Sequence, residues 1–287
     1  MAEQTVDLHS HTSCSDGRLS PVGLVDLAVS KGLAALAITD HDTVAGVGPA
    51  TAHAKELEIV PGVELSASEG NSDIHILGYF IDLESRLLIE HLEVFRSYRF
   101  LRGRQIVERL NELGVRLSFD DVLACSGGES ASIGRPHVAQ ALVDNGYVGT
   151  LEEAFRIYLG SHAPAYVPKS PMSVPKAIEI IHEAGGTAVL AHPGTLKRDE
   201  LIPRFVAAGL DGIEVLHPDH NVVARRYYRQ LAEKYHLAVT GGTDYHGNKT
   251  RRPELGTLKI PYSCLTGLKD RLRFRSGRES GQTHPTG

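Results

Sequence analysis

The chain has 287 residues, of which 41% are hydrophobic and 23% charged, a balance typical of a globular protein built around one large domain. Its 30 basic and 35 acidic residues give a net charge of −5, whereas proteins that hold long nucleic acid by its phosphates are usually basic. The charge argues against long duplex nucleic acid as a partner and favours a small phosphorylated substrate or a short oligonucleotide. No apolar stretch approaches the roughly 20 residues that span a bilayer, so no membrane partner is expected.

The amino terminus runs directly into a polar motif and has no apolar segment of the kind found in signal peptides. The three cysteines are widely spaced and form no CxxC pair, which argues against a disulfide framework and against a zinc ribbon. A cytoplasmic protein is therefore expected. The sequence leaves the oligomeric state open.

Strands and helices are predicted to alternate in the first and last parts of the chain. Short apolar runs predict strands at residues 6–9, 33–39, 58–65, 73–80, 187–191, 212–216 and 237–241. A helix is predicted to begin at Pro21 with Ser20 as its N-cap. Further helices are predicted at residues 45–57, 174–184, 198–208 and 222–235. This alternation indicates a mainly parallel sheet in an α/β protein.

The middle of the chain differs from its two flanks. Residues from about 85 to 170 show helical periodicity without strand–helix alternation. The sequence therefore predicts an α/β domain in two parts, 1–97 and 171–275, with a helical insertion or lid at residues 98–170. Residues 276–287 are rich in Gly, Ser, Thr and Pro, and are predicted to be a disordered tail.

Six of the predicted strands have a potential metal ligand at or near their carboxyl ends. These candidates are His9, His11, Asp16, His41, Glu64, His75, His192, Asp244 and His246. In α/β barrels the carboxyl ends of the strands form one rim, so these side chains are expected to converge. Residues i and i+2 of an extended chain point to the same face, about 7 Å apart, so a His-x-His pair can hold one ion.

The candidate set contains imidazoles and carboxylates but no thiolate, which suits Mn, Zn or Fe(II). Ions about 3.5–4 Å apart can hold a phosphate and share an activated hydroxide. Two or three divalent ions are therefore expected. Seven further histidines are expected to be ordinary surface or hydrogen-bonded side chains, namely His53, His91, His162, His182, His220, His236 and His284.

Five short motifs resemble those of the polymerase and histidinol phosphatase (PHP) superfamily. Residues 7–12 (DLHSHT) with 15–17 (SDG) resemble its opening signature, and residues 38–42 (ITDHD) its second motif. Residues 61–64 (PGVE), 191–193 (AHP) and 242–247 (GTDYHG) resemble later motifs. The resemblance covers residues 7–247 and implies a distorted (β/α)7 barrel of the PHP type with a helical insertion domain.

The resemblance also implies how the nine candidate ligands are shared among three metal ions. His9, His11, Glu64 and Asp244 would hold the first ion, and Asp16, His41 and His246 the second. His75 and His192 would hold the third, with Glu64 as a bridge.

Residues 133–137 (IGRPH), together with the length and the insertion, resemble bacterial nucleoside 3′,5′-bisphosphate phosphatases and related short-RNA 5′-to-3′ exonucleases. An arginine in a turn can donate two hydrogen bonds to one phosphate. Arg135 and His137 are therefore candidate substrate-binding residues, with Lys169 and His217. Arg96, Arg99 and Arg102 form a helical stripe that fits either a phosphate-facing surface or a solvated face. Glu214 is expected to be structural.

We therefore predict a metal-dependent phosphoric ester hydrolase that uses a metal-activated hydroxide and no protein nucleophile. The favoured substrate is the 3′-phosphate of a nucleoside 3′,5′-bisphosphate, for example adenosine 3′,5′-bisphosphate, which would give AMP and phosphate. The main alternative is a 5′-to-3′ exoribonuclease that acts on short 5′-phosphorylated RNA. Further alternatives are a histidinol-phosphatase-like phosphomonoesterase and a non-catalytic metal-binding module.

Overall fold

A computed structural model describes residues 4–70, 72–126, 132–168, 172–247 and 254–280. Eight strands form one sheet in the order β7-β6-β5-β4-β3-β2-β1-β8. Their bounds are β1 Thr5–Asp7, β2 Ala35–Ile38, β3 Glu58–Glu69, β4 Ser72–Tyr79, β5 Thr187–Leu190, β6 Gly212–Leu216, β7 Ala238–Gly241 and β8 Ile260–Pro261. All seven predicted strands are present, and the two-residue β8 is an addition.

The sheet closes into a nearly complete barrel between its first and seventh strands. The backbone N–H of Leu8, just after β1, donates to the carbonyl of Gly241 at the end of β7, with an N–O distance of 3.1 Å. A parallel bridge between Ser10 and Tyr245 continues this contact. The short β8 pairs with the start of β1 in the antiparallel direction. The predicted distorted barrel is thereby confirmed.

The expectation of a mainly parallel sheet needs one correction, because β4 runs antiparallel to both of its neighbours. It forms a long hairpin with β3, in which Gly62 faces Tyr79 at one end and Glu69 faces Ser72 at the other. The pairs β1–β2, β2–β3, β5–β6 and β6–β7 are parallel. Hydrophobic periodicity identifies a strand but carries no information about its direction, so the reversal was not predicted.

The helices lie between and after these strands. Their bounds are α1 Pro21–Ser30, α2 Val47–His53, α3 Arg86–Glu112, α4 Phe119–Ser126, α5 Arg135–Asp144, α6 Leu151–Ala154, α7 Val174–Glu183, α8 Pro193–Leu196, α9 Ile202–Ala207, α10 Val222–Tyr235 and α11 Ser263–Ser280. A π-helical turn at Phe155–Leu159 follows α6, and a 3-10 turn at Asp199–Leu201 precedes α9. The predicted helix at residues 198–208 is therefore broken near its start.

Side-chain caps explain where the best-predicted helices begin. The side chain of Ser20 accepts a hydrogen bond from the Gly23 N–H, with Pro21 at the first helical position of α1. The side chain of Asn221 accepts from the Ala224 N–H at the start of α10. Each cap satisfies an N–H group that has no partner within the helix.

The helical residues between β4 and α7 have a hydrophobic cluster of their own. All its fully buried members lie between Ile106 and Val167. The long helix α3 belongs to both regions, because Leu88 and Phe95 pack in a barrel cluster while Ile106 packs in the second one. The predicted boundary at residue 98 thus falls inside one continuous helix that joins the two regions.

The carboxyl-terminal helix α11 ends at Ser280, five residues into the segment 276–287 that the sequence predicts to be disordered. Residues 281–287, which include His284, lie outside the described residues. Among the residues that the structure describes, none of the helices has both the length and the apolar character needed to cross a membrane.

Candidate metal centre

The nine predicted metal ligands lie together at one rim of the barrel. They come from residues after β1, β2, β5 and β7 and from residues within the β3–β4 hairpin. Their ligand atoms form four overlapping groups in which all atoms lie within 4.8 Å of one another. The groups are His11-Asp16-His41-His246, His9-His11-Glu64, His9-His192-Asp244 and His41-Glu64-His75.

His75 reaches this rim in a different way from the other candidates. It is the fourth residue of β4, in the amino-terminal half of the strand rather than at its carboxyl end. Because β4 is antiparallel to β3 and β5, its beginning lies beside their ends. His75 therefore lies at the rim where the sequence predicts it, but not at the carboxyl end of its strand as the sequence analysis assumes.

Glu64 lies at the centre of the group and has a different set of histidines at each oxygen. Its Oε2 is 3.3 Å from His9 Nε2, 3.2 Å from His11 Nε2 and 3.1 Å from His41 Nδ1. Its Oε1 is 2.6 Å from His75 Nδ1 and 3.2 Å from His192 Nε2. A carboxylate with ligand nitrogens on both oxygens has the arrangement needed to bridge two ions.

Two aspartates complete the cluster on either side of His11. Asp16 Oδ1 lies 3.1 Å from His246 Nε2 and 3.8 Å from His11 Nδ1. Asp244 Oδ1 lies 3.2 Å from His11 Nε2 and 3.5 Å from His9 Nε2. His11 therefore faces a carboxylate at each ring nitrogen.

The cluster fits divalent metal ions by its polar atoms as well as by its composition. Among the described residues, both ring nitrogens of His11, Nδ1 of His41 and Oδ1 of Asp16 are buried without a hydrogen-bond partner. A buried polar atom without a partner is costly unless something else binds it. Imidazole and carboxylate ligands at about 2.0–2.2 Å from an ion suit zinc and similar metals. Each of the four groups could hold a metal ion.

The electrostatics keep the central carboxylates ionised. Burial opposes ionisation of Glu64, but His41, His75 and His9 hold its pKa well below the usual value. Burial likewise opposes ionisation of Asp16, but His246 and His41 hold its pKa well below the usual value. Both carboxyl groups are thus favoured in their ionised form.

Three further aspartates hold the ligand-bearing loops, although none was predicted to have a role. Asp40 accepts hydrogen bonds from the N–H and hydroxyl of Thr12, each at 2.7 Å, in the loop after His11. Asp7 accepts from the hydroxyl of Thr243 at 2.7 Å, beside Asp244. Asp42 accepts from the Ser66 N–H. Each of these aspartates lies within one of the PHP-like motifs, and the sequence contains no other indication of its role.

Close approach of two backbones explains one glycine of the last motif. A Cβ atom on Gly242 would lie 2.1 Å from the Cβ of His9, so a side chain does not fit there. Two of the predicted ligands also have positive φ angles, 29° at His192 and 50° at Asp244. Such angles are uncommon outside glycine and cluster at functional sites.

The predicted substrate-binding residues have different surroundings. Arg135 Nη2 lies 3.0 Å from Asp73 Oδ2 and its Nη1 donates to the Leu159 carbonyl. His137 accepts from the Gly134 N–H through Nδ1, and lines a cavity of about 270 Å³ whose wall includes Asp16. The buried His217 has Nε2 3.5 Å from Asp244 Oδ2. Lys169 lies outside the described residues.

The arginine stripe of α3 is divided between the protein interior and the surface. Arg99 Nε donates to Asp42 Oδ2 at 2.6 Å and its Nη2 to the hydroxyl of Ser66 at 2.9 Å. Arg102 donates to the Val167 carbonyl, while Arg96 is exposed. Burial and, to a smaller extent, the nearby cations Arg135 and Arg99 together lower the pKa of Arg102 to about 10. Three guanidinium groups therefore lie near one another.

The histidines outside the cluster lie where ordinary side chains are expected, in so far as the structure describes them. His53 pairs with Asp26 at the surface, and His182 pairs with Asp211 at the opposite end of the barrel. His220 accepts from the Gly194 N–H, and His236 is exposed.

Buried histidines and carboxylates that converge at the rim of an α/β barrel define a metal-dependent hydrolase centre. Comparison with known proteins agrees. The PHP domain model matches residues 7–165, and the chain belongs to the PHP family of metal-dependent phosphoesterases. The prediction of a metal-dependent phosphoric ester hydrolase is confirmed.

Three relatives illustrate the range of the family. The chain is 36% identical over 268 residues to the 3′,5′-nucleoside bisphosphate phosphatase of Chromobacterium violaceum, covering 90% of this chain and 93% of that protein. It is 36% identical over 251 residues to the 5′-3′ exoribonuclease Rnm of Escherichia coli, covering 84% of each. A proposed metal-dependent phosphoesterase of Bifidobacterium adolescentis superposes with a TM-score of 0.86 at 34% identity, covering 93% of this chain and 96% of that one.

Proposed function

We propose that this phosphoesterase removes the 3′-phosphate of nucleoside 3′,5′-bisphosphates, for example by converting adenosine 3′,5′-bisphosphate to AMP and phosphate. The proposal rests on one face of the β3–β4 hairpin. The cluster of predicted metal ligands lies at one end of this face, and two arginines, each paired with an aspartate, lie further along it. A substrate with two phosphates needs both features at once.

Strand register defines this face. Glu64, Ser66 and Ser68 alternate along β3, so their side chains point to the same side. On β4 the residues opposite Ser66 and Ser68 are His75 and Asp73. Directly opposed residues of an antiparallel pair also share a side. The face therefore leads from Glu64 and His75 in the cluster to Ser66 and then to Asp73.

Two arginines contact the outer part of this face. Arg99 donates to Ser66, and Arg135 pairs with Asp73, two residues along the strand from His75. Each guanidinium is less than one fifth exposed and is held by a protein carboxylate, Asp42 or Asp73. A guanidinium can bind phosphate through two parallel hydrogen bonds. We propose that Arg135, with His137, Lys169 and His217 as further substrate contacts, binds the non-reacting part of the substrate.

The nine residues of the cluster are the proposed metal ligands, for two or three ions of Mn, Zn or Fe. When bound, such ions would lower the pKa of a water molecule towards about 7 and offset charge on the phosphoryl oxygens. The chain itself would orient the 3′-phosphate at the rim and hold the 5′-phosphate at the arginines. Positioning of this kind is a large part of the catalysis of phosphoryl transfer.

Charge and relatives support a small substrate. The net charge of −5 gives long RNA little non-specific attraction. The bisphosphate phosphatase of Chromobacterium violaceum aligns with 90% of this chain, a larger share than the 84% aligned with the exoribonuclease of Escherichia coli.

A 5′-to-3′ exoribonuclease remains the second candidate, because the relative with that name is equally identical at 36%. Both activities would use the same geometry. In each, the 5′-phosphate would bind at the arginines and the reacting phosphate would be the 3′ one, as a free monoester or as the first internucleotide link. They differ in whether the rim has room for a leaving nucleotide.

The distinguishing experiment compares kcat/KM for adenosine 3′,5′-bisphosphate with that for a 5′-phosphorylated RNA of a few nucleotides, at matched salt and metal concentrations. We expect the bisphosphate to be the better substrate. If the RNA is better, the exoribonuclease assignment replaces the nucleotidase one. If the bisphosphate is hydrolysed no faster than esters that lack a 5′-phosphate, such as histidinol phosphate, both assignments fail.

A further inference from the structure

Glu214 is a fully buried carboxylate that contacts two of the proposed metal ligands but belongs to none of the four ligand groups. It lies in the middle of β6. Its Oε1 is 3.1 Å from Nδ1 of His9, and its Oε2 accepts a hydrogen bond of 2.7 Å from the backbone N–H of His192. Each carboxylate oxygen thus has a partner on a different segment of the rim.

The contact with His9 determines which ring nitrogen can bind a metal. A neutral imidazole has one N–H and one lone pair, and an ionised carboxylate can only accept. Nδ1 of His9 must therefore carry the proton that Glu214 accepts. In the neutral ring that metal binding requires, the lone pair is then on Nε2, which faces Glu64 at 3.3 Å and Asp244 at 3.5 Å. A carboxylate that fixes a histidine tautomer in this way also increases the basicity of the other nitrogen.

The contact of Glu214 with His192 stabilises an unfavourable backbone conformation of His192. His192 has φ 29° and ψ 56°, a backbone conformation that an L-residue rarely adopts because it is strained. Its N–H points to Glu214 while its ring points to Glu64. The hydrogen bond to Glu214 therefore helps to keep the ring at the cluster.

We propose that Glu214 is a positioning residue for the metal centre, which sets the tautomer of His9 and the backbone of His192 for ion binding. The role expected from the sequence was purely structural. The proposal rests on the ligand set given under the proposed function, but not on the choice of substrate.

Substitution by glutamine tests this role with little change of shape. An amide offers one acceptor oxygen and one NH2 donor. Both partners of Glu214 are donors, so Glu214→Gln can satisfy only one of them and sets an NH2 group against the other. Reduced metal affinity is expected whichever way the amide is oriented.

The experiment is titration of Mn²⁺ into metal-free wild-type and variant protein by calorimetry, with melting temperatures and steady-state kinetics measured in parallel. We expect Glu214→Gln to bind at least one ion about 10–100-fold more weakly, as for other partners of metal-bound histidine. We expect kcat at limiting Mn²⁺ to fall while KM changes little, with kcat partly restored by excess Mn²⁺.

The matched control is Asp211→Asn, which changes another buried acid just before the same strand but at the opposite end of the barrel. It should lower the melting temperature without changing Mn²⁺ affinity. Equal losses of affinity in the two variants would overturn the proposal, because destabilisation would then explain both. Wild-type affinity in a folded Glu214→Gln variant would overturn it as well.

A second measurement covers the case in which Glu214→Gln does not fold. In zinc-loaded wild-type protein, ¹⁵N NMR should show His9 protonated at Nδ1 and metal-bound at Nε2, and the opposite assignment would overturn the proposal. Wild-type protein that binds no metal would overturn the ligand set together with this role. Neither result depends on whether the substrate is a bisphosphate or RNA.

Discussion

The barrel has a group of histidine and carboxylate at each end, and the two groups differ in how their polar atoms are satisfied. At the base, Asp211 accepts from His182 at 2.7 Å, from the Ala188 N–H at 3.0 Å and from Arg275 at 3.2 Å. Arg271 also donates to it. Protein side chains thus balance the negative charge of Asp211, and together with a backbone N–H they also donate its hydrogen bonds.

At the rim, the carboxylates face histidines, and no lysine or arginine is paired with Glu64 or Asp16 in the described part of the chain. Several buried ring nitrogens there have no hydrogen-bond partner among the described residues. The base therefore resembles a completed structural ion-pair network, whereas the rim has the polar atoms of a site that binds cations. Unsatisfied ligand atoms, rather than histidine–carboxylate contacts as such, therefore distinguish a metal site.

The largest expected effect comes from removing one charge at the rim. Asp244→Asn keeps the size of the side chain but weakens a metal ligand. Partners of metal ligands already contribute about 10–100-fold, so turnover should fall by more than about 100-fold. Circular dichroism and thermal melting should show an intact fold. Near-normal turnover would remove Asp244 from the centre.

A smaller effect is expected where the substrate is bound but not transformed. Arg135→Ala should raise KM more than it lowers kcat, the pattern seen when binding is lost equally from ground and transition states. A hydrogen bond to a charged group contributes about 1.5–3 kcal/mol, so KM should rise roughly 10–100-fold.

The matched control for this change is Arg104→Ala, since Arg104 is an exposed arginine that contacts Phe100 and Phe119. Its KM should remain within about twofold of wild type, a difference below about 0.5 kcal/mol. An unchanged KM in Arg135→Ala, or an equal increase in both variants, would place Arg135 outside the substrate site.

At the base, the same kind of substitution should change stability and spare activity. Asp211→Asn removes the charge that holds His182 and two arginines, and should lower the free energy of unfolding by about 1–3 kcal/mol. Urea denaturation measures the loss, and kcat should be unchanged. A large loss of kcat at wild-type stability would contradict the division between rim and base.

The stability effect of Asp211 should depend on pH in a defined direction. Burial alone would raise the pKa of Asp211. The hydrogen bonds from His182 and other donors outweigh burial and lower the pKa below the usual 3.8. A carboxyl with a lowered folded-state pKa contributes stability above its unfolded pKa and loses it as pH falls through the folded value. The difference in the free energy of unfolding between wild type and Asp211→Asn should therefore be largest near neutral pH and decrease below about pH 4.

The smallest effect is expected at a histidine outside both groups. His236 is exposed and ends α10 with φ 53°. His236→Ala should change stability by no more than about 0.5 kcal/mol and leave kcat unchanged. A folded but inactive His236 variant would mean that the separation of ligand histidines from ordinary ones is wrong.

The sequence predicted the parts of the fold that local chemistry determines. Helix α10 was predicted with both of its bounds, because Asn221 caps its start and the apolar spacing continues to Tyr235. The direction of β4 and the existence of β8 could not be predicted. Strand direction depends on which partner the chain meets, and the two residues of β8 are too few to show a pattern.

The residues of the candidate site likewise divide into those that local sequence reveals and those that it does not. The motifs identified all nine residues that the structure brings together, because i, i+2 spacing and strand ends leave a local signal. Glu214 leaves none, since its partners His9 and His192 are brought to it only when the barrel closes. Arg99 was equally ambiguous, because helical spacing does not show that it turns inward to Asp42.

Activity of this protein is expected to depend on metal ions held at the rim of the barrel. The most direct measurement is elemental analysis of purified protein, followed by chelation and reconstitution with Mn²⁺ or Zn²⁺ in a phosphatase assay. We expect two or three divalent ions per chain, loss of activity on chelation and recovery on reconstitution. Protein that carries no metal and gains no activity from either ion would contradict it.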